Sequence, residues 1–307
     1  MPAPGAGPLS RRAIVTGAAG QDGVYLTELL ESKGYEVVGL ARGDVDLLDQ
    51  DALARVLGEH RPDEVYNLAS PSFVPRSWEY PVETAEFAAV GVTSLLEAVR
   101  AVDGGIRVYQ ASSSEIFGEP AEVPQTESTP LAPVTPYGVA KAYGHFIIGS
   151  YRRRYGLHAS AGILYNHESP RRPTSFLPSK VAHGVAAIAA GRERELVLGD
   201  LDAQRDWGYA RDYVDAMWRM LQQDEAGDYV IATGELHTVG ELVEIAFAHV
   251  GLDWRDHVRV DESLKRGQAE LHHLVGDASK ARERLGWAPS VTFEELVKLL
   301  VDAARDA

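Results

Sequence analysis

The chain has 307 residues, 45% of them hydrophobic and 24% charged, a composition suited to one large or two modest globular domains. It contains no cysteine, which excludes disulfides, thiolate nucleophiles and cysteine metal sites. A net charge of −15 and a pI near 5.1 argue against nucleic acid or an anionic membrane as partner, although a local basic pocket for a phosphate remains compatible with them.

The first ten residues, MPAPGAGPLS, lack a basic stretch followed by an apolar one, so they read as a flexible tail rather than a signal peptide. The weakly polar run Val181 to Ala190 is interrupted by His183 and Gly184 and is far too short to span a bilayer. A cytoplasmic location is the expectation.

From residue 12 onward strand-like and helix-like segments alternate. RAIVTG (12–17) is β-branched and is followed by a helical pattern from Tyr25 to Lys33. YEVVGLA (35–41) is the next strand, ALARVLGEH (52–60) the next helix and DEVYNLAS (63–70) the third strand. A long helix near Pro81 to Val102 follows. RVYQA then runs into SSSEIFG, where Ser112, Ser113, Ser114 and Glu115 break the apolar pattern at the end of a core strand. A helix from about Pro136 to Tyr155 leads to HASAGILY (158–165). This rhythm predicts an α/β protein, a Rossmann-type doubly wound parallel sheet with helices on both faces.

The second half is less regular. DYVIATG (228–234) is a strand, and Thr238 with Glu241, then Thr292 with Glu295, form capping boxes that open two amphipathic helices. The plan is a flexible tail over 1–10 and a dinucleotide-binding domain over 11–165, with a returning segment near 205–235. A smaller mixed α/β substrate domain is built from 166–204 and 236–307.

Two local patterns carry chemistry. Between the first strand and helix lies TGAAGQDG, with Gly17, Gly20 and Gly23 three apart. There a backbone must turn tightly and approach a pyrophosphate at a helix N-terminus. At the end of the second strand, GLARGD places Arg42 where a 2′-phosphate would be met, which favours NADP; Asp44, two residues on, keeps NAD possible. In PYGVAKAY, Tyr137 and Lys141 are four apart and share a helical face. A nearby ammonium is expected to lower the tyrosine pKa, giving a base for an alcohol and an acid for a ketone.

These segments resemble the extended short-chain dehydrogenase/reductases that act on nucleotide-activated sugars, and among them the GDP-mannose 4,6-dehydratases. The likeness covers nearly all of residues 12–300. It rests on TGAAGQDG, YNLAS, YQASSSEIFG, PYGVAK, LYNHESPRR and LGDLDAQRDWGYARDYVDAMW. It implies a lyase that oxidises the sugar at C4, removes the C5 proton with loss of water, and returns hydride to C6. Ser113 would hydrogen-bond the C4 oxygen, Tyr137 would take its proton, Lys141 would hold the nicotinamide ribose, and Glu115 would be the C5 base. An extended chain would set Glu115 on the same side as Ser113, two residues away.

The same resemblance assigns Gly17, Gly20, Gln21, Asp22, Gly23, Arg42, Leu68, Ala69, Ser70, Tyr137, Lys141, His167 and Arg172 to the cofactor. It assigns Ser72, Ser113, Asn166, Lys180, Arg205, Arg266 and Glu270 to the sugar nucleotide. A homodimer, with helices 81–102 and 136–155 paired across a two-fold axis, is also implied.

The match departs from the family in three places. An arginine- and serine-rich loop after the second strand is cut to ARGDVDLLD, which weakens the case for NADP and favours a dimer over a tetramer. Glu83 stands where a tyrosine is usual. LKRGQAELHHLVGD replaces an Arg-Pro-x-Glu stretch. The short loop keeps a related reading open, an NADPH-dependent reductase of 4-keto sugars. A 4,6-dehydratase of another nucleotide sugar and a non-catalytic dinucleotide sensor are the further alternatives. His272 and His273 are adjacent and point apart, so no metal is expected.

Overall fold

A computed structural model describes residues 10–264 and 273–307. The strands β1 (Arg12–Thr16), β2 (Glu36–Leu40), β3 (Glu64–Asn67), β4 (Arg107–Ala111) and β5 (Ala159–Leu164) pair in parallel, and the strand Asp228–Ile231 joins them at one edge. The order across the sheet is Asp228–Ile231, β5, β4, β3, β1, β2. The chain therefore leaves β1 to one side for β2 and to the other for β3. Ligands of open α/β sheets bind in the crevice at such a switch point, beyond the carboxyl ends of the strands.

Both faces of the sheet are covered, as its runs of buried β-branched and aromatic residues require. On one face α1 (Gln21–Ser32) and the helix Ala210–Leu221 bury Leu26, Leu30, Tyr213, Met217 and Met220. On the other, Leu53, Leu57, Leu96, Val99 and Ile148 come from three further helices. The stretch from Ala210 to Ile231 thus packs with the first half of the chain. A separate core, including Val185, Trp207, Leu242, Phe247, Val297 and Val301, holds together the helices Leu177–Ala189, Val239–His249 and Phe293–Arg305. The last two open on the capping boxes Thr238/Glu241 and Thr292/Glu295.

The helix expected over 81–102 forms in three pieces. Pro81–Ala85 and Gly91–Val102 are α-helical, and Glu86–Val90 between them is a π-turn. This segment lies against helix Pro136–Tyr155 so closely that a Cβ on Gly144 would sit 2.8 Å from the Ala88 carbonyl oxygen. Helix Pro136–Tyr155 begins where Thr135 accepts a hydrogen bond from the Gly138 amide with Pro136 at the first position, and it ends at Gly156 in the left-handed region.

A buried polar ladder fixes the ends of three strands. Thr16 Oγ1 donates to Asn67 Oδ1 at 2.7 Å, and Asn67 Nδ2 donates to Gln110 Oε1 at 2.8 Å. Thr16 Oγ1 also accepts from the amides of Leu68 and Ala69, at 3.2 Å each. Each of these groups is satisfied inside the core, so the loops that leave β1 and β3 start from fixed positions.

Candidate functional site

At the carboxyl ends of these strands lies a cleft of about 880 Å³, running from the glycine turn to the second core. Its floor is the turn itself. Gly17 has φ +68°, and a Cβ there would press on Ala69 N at 3.0 Å; a Cβ on Gly23 would stand 2.3 Å from Gly17 O. The Gly20 amide donates to Gly17 O at 3.0 Å, and α1 starts from Gly20 with no side chain capping it. A cradle that any Cβ would fill, opening on uncapped amides, fits a dinucleotide pyrophosphate.

Behind the turn Asp22 is paired with His167, Oδ2 to Nε2 at 2.9 Å, and His167 Nδ1 lies 2.8 Å from the Tyr165 carbonyl. Burial alone would raise the carboxyl and lower the imidazole. The charge and hydrogen bond each supplies to the other outweigh it, so Asp22 is held low and His167 high. Gln21 ties the pair together, donating to Asp22 Oδ1 at 3.0 Å and to His167 O at 3.1 Å, and accepting from Ser169 at 2.8 Å. Arg172 lies 3.6 Å from Glu168 and covers the ring of Phe176.

The serine-rich segment does not continue the strand. β4 ends at Ala111, Ser113 is extended, and Ser114–Ile116 is a single 3₁₀ turn capped by Ser113 Oγ, which accepts from the Glu115 amide at 3.3 Å. The period-two expectation for Ser113 and Glu115 is therefore corrected. The turn, not an extended chain, brings Glu115 to the cleft wall beside Ser113. The start of helix Pro136–Tyr155 presses on this turn: a Cβ on Gly138 would lie 2.6 Å from Glu115 O, and Thr135 Oγ1 donates to Glu115 Oε2 at 3.4 Å. Tyr137 lines the same wall of the cleft as Ser113 and Glu115. Lys141 Nζ donates to the Ala111 carbonyl at 3.0 Å and lies 5.6 Å from the Tyr137 ring centre.

The protonation pattern differs from expectation. Burial pushes the Tyr137 phenol up to about 12, with the Ser113 hydroxyl pulling it back and the Glu115 charge adding to the rise. Burial also draws the Lys141 ammonium down to about 8, offset in part by Asp22. Desolvation, which a one-dimensional spacing does not report, is the dominant influence on both groups.

The cleft also takes in Leu68, Ala69, Ser70, Ser72, Asn166, Lys180 and Arg205. Lys180 Nζ donates to Val197 O at 2.8 Å, and Arg205 lies on a two-residue strand paired with His237–Thr238. Arg42 lies at the cleft mouth, 3.3 Å from Glu83. Asp44 turns into its own loop, accepting from the Ala41 amide at 2.7 Å. Arg266, Glu270 and His272 lie outside the described residues. Among the described residues no three His, Asp or Glu side chains gather as metal ligands.

Sequence reasoning missed the apolar lining. Phe73 and Phe176 meet edge to face at 5.6 Å, and Leu177, Leu198, Trp207 and Leu264 line the end near the second core. Phe73 and Phe176 are a hundred residues apart in the chain, and nothing local pairs them.

The model of a family described as GDP-mannose 4,6 dehydratase matches residues 43–300. A protein named GDP-mannose 4,6 dehydratase 1 from Arabidopsis thaliana is 47% identical over 321 residues, covering 94% of this chain and 88% of its own. The Homo sapiens GDP-mannose 4,6 dehydratase is 41% identical, covering 95% and 90%. Among solved structures, DesIV, a dTDP-glucose 4,6-dehydratase from Streptomyces venezuelae with NAD and TYD bound, superposes with a TM-score of 0.85. It is 26% identical over 96% of this chain and 97% of its own. RMD from Pseudomonas aeruginosa complexed with NADPH gives a TM-score of 0.87 at 24% identity, over 97% and 99%, a likeness of fold.

Proposed function

The chain belongs to the GDP-mannose 4,6-dehydratase family, and on that footing we propose that it converts GDP-mannose to GDP-4-keto-6-deoxymannose with NADP as a recycled cofactor. The observation that carries the proposal is the gathering of Ser113, Tyr137 and Lys141 with a fourth group, the Glu115 carboxylate, on one cleft wall. Oxidising or reducing an alcohol needs the first three; eliminating water needs the fourth.

The glycine turn and the residues behind it, Gln21, Asp22, His167 and Arg172, would hold the cofactor, together with Leu68, Ala69, Ser70 and Arg42. When bound, it would supply the redox chemistry, as acceptor of the C4 hydride and donor of the same hydride to C6. Ser113 orients the C4 hydroxyl, and Tyr137 takes its proton. A phenol held high by burial is a strong base once ionised, and the Lys141 Nζ lies 5.6 Å from its ring centre. The C4 ketone then acidifies C5, where Glu115 removes the proton and passes it to the departing C6 hydroxyl, which leaves as water. Tyr137 gives its proton back to C5 when hydride reaches C6. Two protons are taken and two are returned, and the hydride lost at C4 is regained at C6, so the conversion is redox-neutral.

Ser72, Asn166, Lys180 and Arg205 belong to the sugar nucleotide, together with Arg266 and Glu270 from the stretch outside the described residues. Val90 stands exposed on the 81–102 segment, as do Val139, Tyr143 and Phe146 on helix Pro136–Tyr155. This apolar strip supports a homodimer formed through the two helices, as part of the same cytoplasmic enzyme.

The test is incubation with GDP-mannose and no added reduced cofactor, followed by mass spectrometry of the sugar nucleotide. Loss of one water, with cofactor absorbance returning to its start, is the expected result. Glu115→Gln should lower kcat by roughly 10²–10⁴-fold, the usual contribution of a general base. Untouched GDP-mannose, with turnover of GDP-4-keto-6-deoxymannose and NADPH, would assign the protein to the reductases instead.

A further inference from the structure

Three charged side chains meet where β2 opens onto the cleft. Glu83, on the helix Pro81–Ala85, presents one carboxylate oxygen to Arg42 and the other to Arg76, at 3.3 Å each. Arg42 comes from the loop after β2 and Arg76 from the short helix Arg76–Glu79. The arginines are open to solvent, 83% and 44% exposed, whereas Glu83 is 26% exposed between them. Ala41 and Arg42 share the cleft with Gly17 and Gly20. A dinucleotide with its pyrophosphate on the glycine turn would therefore bring its adenosine ribose toward this cluster.

Two chemistries distinguish cofactors at this place: a carboxylate accepts the ribose hydroxyls of NAD, and guanidinium groups take the 2′-phosphate of NADP. Here they are coupled. Glu83 engages one Nη of each arginine, and its negative charge beside them would repel the incoming phosphate. Asp44, the other acid nearby, is committed to its own loop.

We infer that Glu83 is the specificity-determining residue of the cofactor site, a resident carboxylate that competes with the NADP 2′-phosphate for Arg42 and Arg76 and so narrows the preference for NADP over NAD. Arg76 is then the second arginine of that phosphate subsite. The inference rests on the dinucleotide reading of the cleft and is independent of the sugar chemistry. Exposed ion pairs are weak and salt-screened, so the competition tunes the preference by a modest factor.

The test offers the purified protein NADP and NAD in equal excess, removes free cofactor, and counts by mass spectrometry what is retained. Glu83→Gln should raise the retained NADP-to-NAD ratio roughly three- to tenfold, the scale of one or two exposed ion pairs, and the gain should shrink as salt is added. Arg76→Gln should lower the ratio by a similar factor while NAD retention stays unchanged. A ratio that stays constant or falls in Glu83→Gln overturns the competition. A constant ratio in Arg76→Gln overturns the second arginine. Failure of the unaltered protein to retain either cofactor overturns the dinucleotide reading itself, a result separate from both.

Discussion

Replacing Lys141 with methionine is expected to abolish turnover and yet stabilise the cofactor-free protein. Lys141 is 5% exposed. Burial draws its ammonium from 10.5 down to about 8, against a partial offset from the charge of Asp22. At about 1.4 kcal/mol per pKa unit, keeping that charge in the core costs folding about 3 kcal/mol at neutral pH. Methionine is unbranched, uncharged and fills irregular gaps. It forfeits the hydrogen bond from Nζ to the Ala111 carbonyl, worth about 1 kcal/mol. The net expectation is a gain of about 1–3 kcal/mol.

The pH dependence separates this cause from better packing. The folded pKa lies below the unfolded one, so between about 8 and 10.5 the unfolded wild-type chain binds more protons and wild-type stability rises with pH. The advantage of the variant is full below about pH 8 and closes toward 10.5. Paired urea titrations of cofactor-free proteins at about pH 7 and about pH 9.5 should show it narrowing by about 2 kcal/mol. A variant less stable than wild type at neutral pH, or an advantage that does not change with pH, would mean that the buried Lys141 charge does not cost the fold stability.

Two other substitutions test the supports of the site. Gly23→Ala would put a methyl 2.3 Å from Gly17 O and 2.6 Å from Ala18 Cα, both backbone atoms that cannot swing away. It should cost about 1–3 kcal/mol in denaturant titration and remove cofactor retention, because the turn itself must shift. Gln125 is fully buried: it accepts from Tyr165 Oη and the Val275 amide and donates to the Glu122 and His273 carbonyls. Gln125→Leu removes the partner of Tyr165 Oη and of the Glu122 carbonyl, while the Val275 amide and the His273 carbonyl keep their bond to each other at 3.1 Å, and it should lower stability by about 1–3 kcal/mol in denaturant titration.

The parts of the molecule that were legible in the sequence are those whose physics is local. Gly17 and Gly23 announce a turn because no other residue fits it. The bounds of helix Pro136–Tyr155 follow from Thr135, Pro136 and Gly156, and Tyr137 shares a face with Lys141 through helical periodicity alone. What stayed hidden depends on distant chain. Nothing in SSSEIFG says that the strand stops at Ala111 and tightens into a 3₁₀ turn; the helix start pressing on Glu115 O helps to shape it. The pKa of Tyr137 is governed by how deeply the fold buries it. The π-turn at Glu86–Val90 lies where the chain crosses Gly144, more than fifty residues on. Arg76 and Arg42 meet only through Glu83, a junction that no spacing within either segment encodes.

In the proposed reaction one hydride leaves C4 and returns to C6 of the same sugar. The measurement is the fate of deuterium placed at C4 of GDP-mannose, with the protein as purified and NADP present. The expected product is lighter by one water and carries the deuterium at C6, with no net reduction of cofactor. Deuterium accumulating in reduced cofactor, or a substrate recovered intact with its label at C4, would contradict this reaction.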